Sequence, residues 1–434
     1  MMTIPDAAAI EARTIRKLRT RIIPFIFLLY IVAFVDRINI GFAALTMNRE
    51  LAITSQQFGL VAGIFFVGYF LFEIPSNLLL HKIGARIWIA RILLSWGFVA
   101  VLTGFVQNVS QLYLARFLLG LAEAGYFPGI VLYLTYWFPQ REQARAIALF
   151  MAGIPVASIL GAPISGLILD HVHWLTMSSW RWLLILEGLP AIICGVLTYF
   201  LLPSRPPEAK FLTQDEKRWI TAELAREQRE KTGEHAISAL GALAHRRVWH
   251  LVCISFTFQL GQYTIYFWMP QAVRSLSRVY SSTVVGFLVM VPYLAALIAM
   301  VLVSRSSDRR MERRYHAAIS LILGGVMLML LGPTASPFLS VALWSFAAMG
   351  AISALGPFWS LPNEFLTGAS AASGIALITC VGSLGGFVGP YAVGAVAHGP
   401  GDISKGFALV AISLFVSATL VLLLPRKALT LARE

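Results

Sequence analysis

The sequence predicts an all-α polytopic membrane protein: twelve transmembrane helices in two pseudo-symmetric six-helix halves around a central cavity. Three observations carry that prediction. Apolar runs of about 20 residues, the length that spans a bilayer, recur along the whole chain. Hydrophobic residues make up 58% of the 434 and charged residues only 13%, too little charge to cover a soluble protein of this size. A polar stretch over residues 204–248 divides the apolar runs into six and six. The runs are unbroken rather than alternating, which argues against an outer-membrane barrel. Only helices satisfy their backbone polar groups in lipid at this spacing.

The chain begins with a polar segment, residues 1–21, carrying Arg13, Arg16, Lys17, Arg19 and Arg21. No small-residue cleavage site follows a short apolar core, so the first span is expected to be retained. The twelve spans are predicted over about 22–45, 57–80, 88–108, 112–137, 145–170, 182–202, 249–275, 282–303, 316–333, 338–362, 372–397 and 405–424. Residues 1–203 form the first half and 249–434 the second. Between them, Pro203, Pro206 and Pro207 end the sixth span. Thr213 to Glu216 then reads as a capping box opening a short helix. Trp219, Ile220 and Leu224 give that helix an apolar side, which places it against the cytoplasmic face of the bundle or at the lipid interface. For the part after Gly233 a mobile linker is the alternative reading.

The net charge of +13 does not point to nucleic acid, because the basic residues sit in short loops at alternate span ends. With both termini in the cytoplasm, 26 of the 34 Lys and Arg fall on the cytoplasmic side and five on the other. That asymmetry predicts the orientation and a multi-pass location in the cytoplasmic (inner) membrane. The lipid bilayer is the one macromolecular partner expected, and a monomer suffices. Cys194, Cys253 and Cys380 lie inside apolar runs, as packing residues do, and form no metal or disulfide pattern.

Charges inside the spans carry the chemistry. Asp36 and Arg37 lie in the interior of the first span, and each such charge costs about 2.5–3.5 kcal/mol on insertion. Arg116 and Glu123, seven residues apart in the fourth span, share one helical face at similar depth. Arginine forks to a carboxylate through two hydrogen bonds. Burial disfavours a charged carboxylate and a neighbouring arginine favours it. Protein acid and substrate can therefore compete for one arginine, with Asp36 and Glu123 as proton sites and Arg37 and Arg116 as anion sites. The rival reading is a static set of ion pairs fixing helix packing. In the seventh span, Gln259, Gln262 and Tyr266 follow the spacing of one face and can supply hydrogen bonds to a cavity. Trp359 and Ser360 of the tenth span are candidates for its wall. Tyr30 and Tyr126 are weaker candidates to face inward. No metal-ligand cluster, phosphate loop or nucleophile–base pair stands out, so an enzyme is not expected. No cofactor is expected beyond the proton as coupling ion.

The halves also resemble each other. Basic clusters follow the second span (Lys82, Arg86) and the eighth (Asp308, Arg309, Arg310). Gly161-Ala-Pro163-Ile-Ser-Gly166 in the fifth span matches Gly385-Gly386-Phe-Val-Gly389-Pro390 in the eleventh. With Asp36-Arg37-Ile-Asn39-Ile-Gly41, Glu73-Ile-Pro75-Ser76-Asn77, Arg116 through Gly120 and Glu123 to Gly125, and Trp180-Arg181-Trp182 through Glu187-Gly188, these strings resemble the major facilitator superfamily. Within it they are similar to the anion:cation symporters, which include galactonate, hexuronate, tartrate and phthalate carriers. The resemblance covers essentially the whole chain. It implies proton-coupled import of a small organic anion, a mono- or dicarboxylate, by alternating access. It also implies a substrate contact for Tyr69 and gating by Lys82, Arg86, Asp308 and Arg309. Glu73, Glu187 and Glu364, toward cytoplasmic span ends or along the sixth span, are read as gates or locks between the halves or as simple surface pairs, rather than as substrate contacts. Thr379 and Ser383 stand where members of the family often carry asparagine, leaving room for a bulkier or less hydroxylated acid, aromatic acids included. The alternatives are an efflux antiporter or uniporter of the same fold, or a receptor that does not transport.

Overall fold

The computed structural model describes residues 4–233, 245–277, 279–331, 336–362, 368–397 and 404–424. Among them every regular element is a helix. The first half comprises α1 (Ile4–Arg21), α2 (Ile23–Glu50), α3 (Ser55–Ile83), α4 (Ala85–Thr103), α5 (Val109–Glu123), α6 (Tyr126–Thr135), α7 (Gln140–Met151), α8 (Gly153–His171) and α9 (Ser179–Leu201). After α10 (Gln214–Gly233) come α11 (Arg246–Ser275), α12 (Ser282–Arg310), α13 (Arg314–Leu331), α14 (Pro337–Ser353), α15 (Leu355–Ser360), α16 (Gly368–Ser383), α17 (Gly385–Val396) and α18 (Ser404–Leu422). Glu364 and the segment directly after Gly233 lie outside the described residues.

Among the described residues, eleven helical stretches are long and apolar enough to cross a membrane, and they match eleven of the predicted spans. The twelfth, α11, is a 30-residue helix whose glutamines, tyrosines and threonines lower its apolarity. It is largely buried, with Tyr263 meeting Arg37, Gln259 meeting Ser255 and Gln271 meeting Asn48 rather than lipid.

Four spans are interrupted. The fourth breaks between α5 and α6, the fifth between α7 and α8, the tenth between α14 and α15, and the eleventh between α16 and α17. Three breaks have one cause. Pro128, Pro155 and Pro357 lack the N–H that the carbonyl four residues earlier would accept, at Ala124, Met151 and Ser353, where each helix stops. In the eleventh span, Gly385-Gly386 lies at the break.

The N-terminal segment is not an unstructured polar tail. It is α1, amphipathic, with Ile15 and Leu18 buried against the bundle. The predicted capping box is formed, with the Thr213 N–H donating to Glu216 Oε2 at 2.8 Å. Glu216 also accepts from Arg13 Nε at 2.9 Å and Lys17 Nζ at 2.8 Å, so α10 is tied to α1 across the face that carries the N-terminus, hereafter the terminal face. Ile220 is buried and Trp219 and Leu224 pack on the core, the apolar side read from the sequence.

At the opposite face the halves meet through backbone. An added Cβ at Gly166 of α8 would lie 2.4 Å from the Ser282 carbonyl oxygen, and one at Gly286 of α12 would lie 2.5 Å from that of Ala162. The matching pair joins α3 and α17: Gly59 against the Pro390 carbonyl at 2.5 Å, Gly394 against that of Ser55 at 2.3 Å. Asp170 caps α12 from the other half, accepting from the Ser282 and Thr283 N–H groups at 3.1 and 2.7 Å.

Candidate functional site

A cavity of about 80 Å³ lies between the halves, on the terminal-face side of those contacts. By the space one water needs, it holds a handful of waters or a small solute. Its wall takes Tyr30, Phe34 and Arg37 from α2, Phe65, Phe66, Tyr69 and Glu73 from α3, and Phe127, Met151 and Ile154 from the fourth and fifth spans. The second half contributes Ser255, Phe258, Gln259, Gln262 and Tyr263 of α11, Leu355, Phe358 and Trp359 of α15, and Thr379 and Ser383 of α16.

Arg37 is the fixed cation of this wall. It is buried and donates through Nη2 to Glu123 Oε1 in a close ion pair. Through Nη1 it donates to the Tyr263 hydroxyl of the other half at 3.3 Å. Phe34, Phe65 and Tyr69 surround the guanidinium, with ring centres 6.0, 5.5 and 5.6 Å from Cζ. Glu123 reaches it because of two local features. Gly120 lets α5 lie against the α3 backbone, where a Cβ would meet the Phe65 carbonyl oxygen at 2.0 Å. Gly125, at φ +83°, then turns the chain through a left-handed conformation directly after Glu123. Glu123 Oε2 and Arg37 Nε are buried without a hydrogen-bond partner among the described residues.

The other two charges stand behind this pair. Asp36 lies about 100° around α2 from Arg37 and accepts from Trp96 Nε1 of α4 at 2.6 Å and Asn39 Nδ2 at 3.2 Å. Arg116 is buried beside Phe65, its Nε 3.4 Å from the Val61 carbonyl. Neither lines the cavity. Glu187 is not at a gate but deep in α9, accepting from Ser165 Oγ at 2.7 Å.

Of the remaining candidates, Tyr69, Gln259, Gln262, Trp359, Thr379 and Ser383 face the cavity. Tyr266 is buried one layer behind, stacked on Tyr293. Ser360 donates to the Gly356 carbonyl at 3.1 Å and is not in the wall. The Ser383 hydroxyl is turned to the Cys380 carbonyl at 2.7 Å. In this conformation Asp308 pairs with Arg313 of its own half, Arg86 stands 5.9 Å from the Tyr199 ring, and Lys82 and Arg309 are exposed. Contacts between the halves near the terminal face come instead from Glu73, which accepts from Thr379 Oγ1 at 3.1 Å, and from Phe127 beside Trp359. Tyr263 and Glu73 are cavity residues that the spacing of apolar positions did not single out. Each is the polar member of a face otherwise read as packing or as a helix end. Among the described residues, no group of three or more His, Cys, Asp or Glu is set to hold a metal.

Comparison with known proteins agrees with this architecture. A protein of Agrobacterium vitis named "Putative tartrate transporter" is 46% identical over 419 residues, covering 96% of each chain. The "Putative metabolite transport protein NicT" of Pseudomonas putida is 40% identical, covering 95% of this chain and 94% of its own. Among solved structures, a bacterial homologue of the human lysosomal transporter Spinster, inward-facing and occupied, superposes with a TM-score of 0.73 at 16% identity, covering 94% of this chain and 97% of its own. The sequence model of one family matches residues 26–390, and the chain accordingly belongs to the Major Facilitator Superfamily, whose members here are transporters and not enzymes.

Proposed function

We propose that the chain is a proton-driven symporter importing a small organic anion, a mono- or dicarboxylate, across the cytoplasmic membrane by alternating access. The observation that carries this reading is the buried Arg37–Glu123 pair with Arg37 in the cavity wall. Taking two charges out of water costs about as much as their contact returns, so such a pair is poor glue. It is well suited to a switch. A proton on Glu123 breaks the pair and frees the guanidinium to fork onto a substrate carboxylate. Loss of that proton on the inner side restores the pair and expels the anion. Asp36, held by Trp96 and Asn39, serves as a secondary proton site behind it. The basic-residue asymmetry supports a cytoplasmic terminal face. The relatives named for tartrate and metabolite transport support the substrate class.

Proteoliposomes test it with a carboxylate panel, with and without an inward proton gradient. Wild type accumulates at least one acid only with the gradient, and Glu123→Gln loses that dependence. Uptake of no acid, or normal gradient-driven uptake by Glu123→Gln, overturns the reading. The aromatic wall (Tyr30, Phe34, Phe66, Phe127, Phe358, Trp359) favours a second reading, an antiporter exporting an aromatic acid. Under that reading an inward proton gradient drives the acid out.

A further inference from the structure

Resting on the reading above, we infer that Glu73 is the second pole of the substrate site. It accepts a hydrogen bond from a hydroxyl or ammonium on a substrate whose carboxylate sits on Arg37, so the cargo is a hydroxy- or amino-acid anion rather than a plain carboxylate.

Glu73 is 1% exposed and lines the cavity. Its Oε1 accepts from Thr379 Oγ1, but that hydroxyl carries one proton and also lies 3.0 Å from both the Ile375 and Ala376 carbonyls. Its Oε2 is buried with no hydrogen-bond partner among the described residues. The neighbouring Cys380 thiol is shared between Glu73 and the Phe70 carbonyl, 3.7 Å from the latter, and is a weak donor to either. A carboxylate so poorly served is expensive in an aromatic wall. Packing alone would favour Leu or Gln, so the acceptor capacity left over is the informative feature.

The geometry gives the two poles an order. Arg37 stands over Tyr69, and Glu73 follows one helical turn later on the same face of α3, a rise of about 6 Å. A solute of a few carbons reaches from one to the other. At the Arg37 pole it must present an anion, and at the Glu73 pole a donor. An O–H or N–H there completes the hydrogen bonding of Oε2, which a methylene cannot.

Three four-carbon dicarboxylates isolate this term: succinate with no donor, malate with a hydroxyl and aspartate with an ammonium. Their Kd values are measured by calorimetry on the purified full chain, and uptake is followed in proteoliposomes. A charge-assisted hydrogen bond predicts that wild type binds malate or aspartate about tenfold or more tighter than succinate. Glu73→Leu brings the ratio to about one. Glu73→Gln keeps the malate preference through its carbonyl oxygen and loses the aspartate preference. The ratio is a readout that a purely structural role would not move. Equal wild-type affinity for all three acids overturns the inference, as does a preference that survives Glu73→Leu. Should Glu73→Leu fail to fold, the aspartate arm of Glu73→Gln decides. Binding of acids without discrimination leaves the symporter reading standing, whereas no binding and no uptake of any acid removes both.

Discussion

Gly166 offers a direct test of how the face opposite the termini is closed. Its substitution by Ala places a Cβ 2.4 Å from the Ser282 carbonyl oxygen and 3.0 Å from the Ser282 carbonyl carbon and Thr283 Cα. Ordinary contact begins near 3.4 Å, so α8 and α12 must part by about 1 Å. All three atoms are backbone, and no rotamer change relieves the clash. Overpacking of this kind costs about 1–3 kcal/mol. The cost falls only on the state in which that face is closed, so the equilibrium moves toward its opening by roughly 5- to 150-fold. Nitroxides at His173→Cys and Ser281→Cys, both exposed on that face and one in each half, report the change by pulsed electron resonance in a background without the native cysteines. Gly166→Ala shifts the distance distribution to longer values. An unchanged distribution, or a shorter one, refutes both the steric argument and the assignment of this contact as a gate.

Two further predictions concern charge. Burial pushes the Glu216 carboxyl up, but hydrogen bonds from Lys17, the Thr213 N–H and Arg13 outweigh it and hold the group below the usual carboxylate range. A depressed folded value stabilises above the unfolded pKa of about 4.3 and is lost as pH falls through the folded value. Thermal stability in detergent thus falls on acidification below about pH 4, and Glu216→Gln removes that step while lowering stability at pH 7. Within the site, Arg37→Lys gives up the fork and weakens acid binding about tenfold or more. Asp36→Asn, outside the wall, changes Kd by no more than about two- to threefold; calorimetry compares the two.

The spans were legible because length and apolarity are properties of each segment by itself. The breaks had a signal that periodicity does not use, a proline four residues after Ala124, Met151 and Ser353. The α1 helix was obscured by its five basic residues, although Ile15 and Leu18 mark one face of it. At the site, Gln259 and Gln262 were accessible from the spacing of one helical face, Arg37 from its charge inside a span, and Tyr69 only through the family resemblance. The choice of Glu123 rather than Asp36 as the partner of Arg37 was not. It depends on how α5 is rotated against α2, which Gly120 and Gly125 set through contacts made in three dimensions. Glu73 was grouped with the gates as a residue toward the cytoplasmic end of its span; it does join the halves there through Thr379, and it also stands in the cavity wall, which its place along the chain does not reveal.

The two faces are closed by different means, and the difference bears on mechanism. Opposite the termini, backbone meets backbone at Gly41, Gly59, Gly166, Gly286 and Gly394, with carbonyl oxygens 2.3–2.9 Å from where a Cβ would stand. Close approach of this kind is all or none, since helices must separate as bodies before water can enter. Near the terminal face, the halves touch through the Glu73–Thr379 hydrogen bond and the Phe127–Trp359 ring contact, both made by side chains. Rotamer changes open such contacts far faster than helices move. A solute in the cavity is therefore separated from the terminal side by a thin barrier and from the other side by a thick one. Breaking the Arg37–Glu123 pair also bears on the thick side, because Arg37 joins the halves through Tyr263, one turn of α11 before the Tyr266 and Phe267 carbonyls that crowd Gly41. In the proposed cycle, a proton on Glu123 and an anion on Arg37 would thus act beside the contacts that must part.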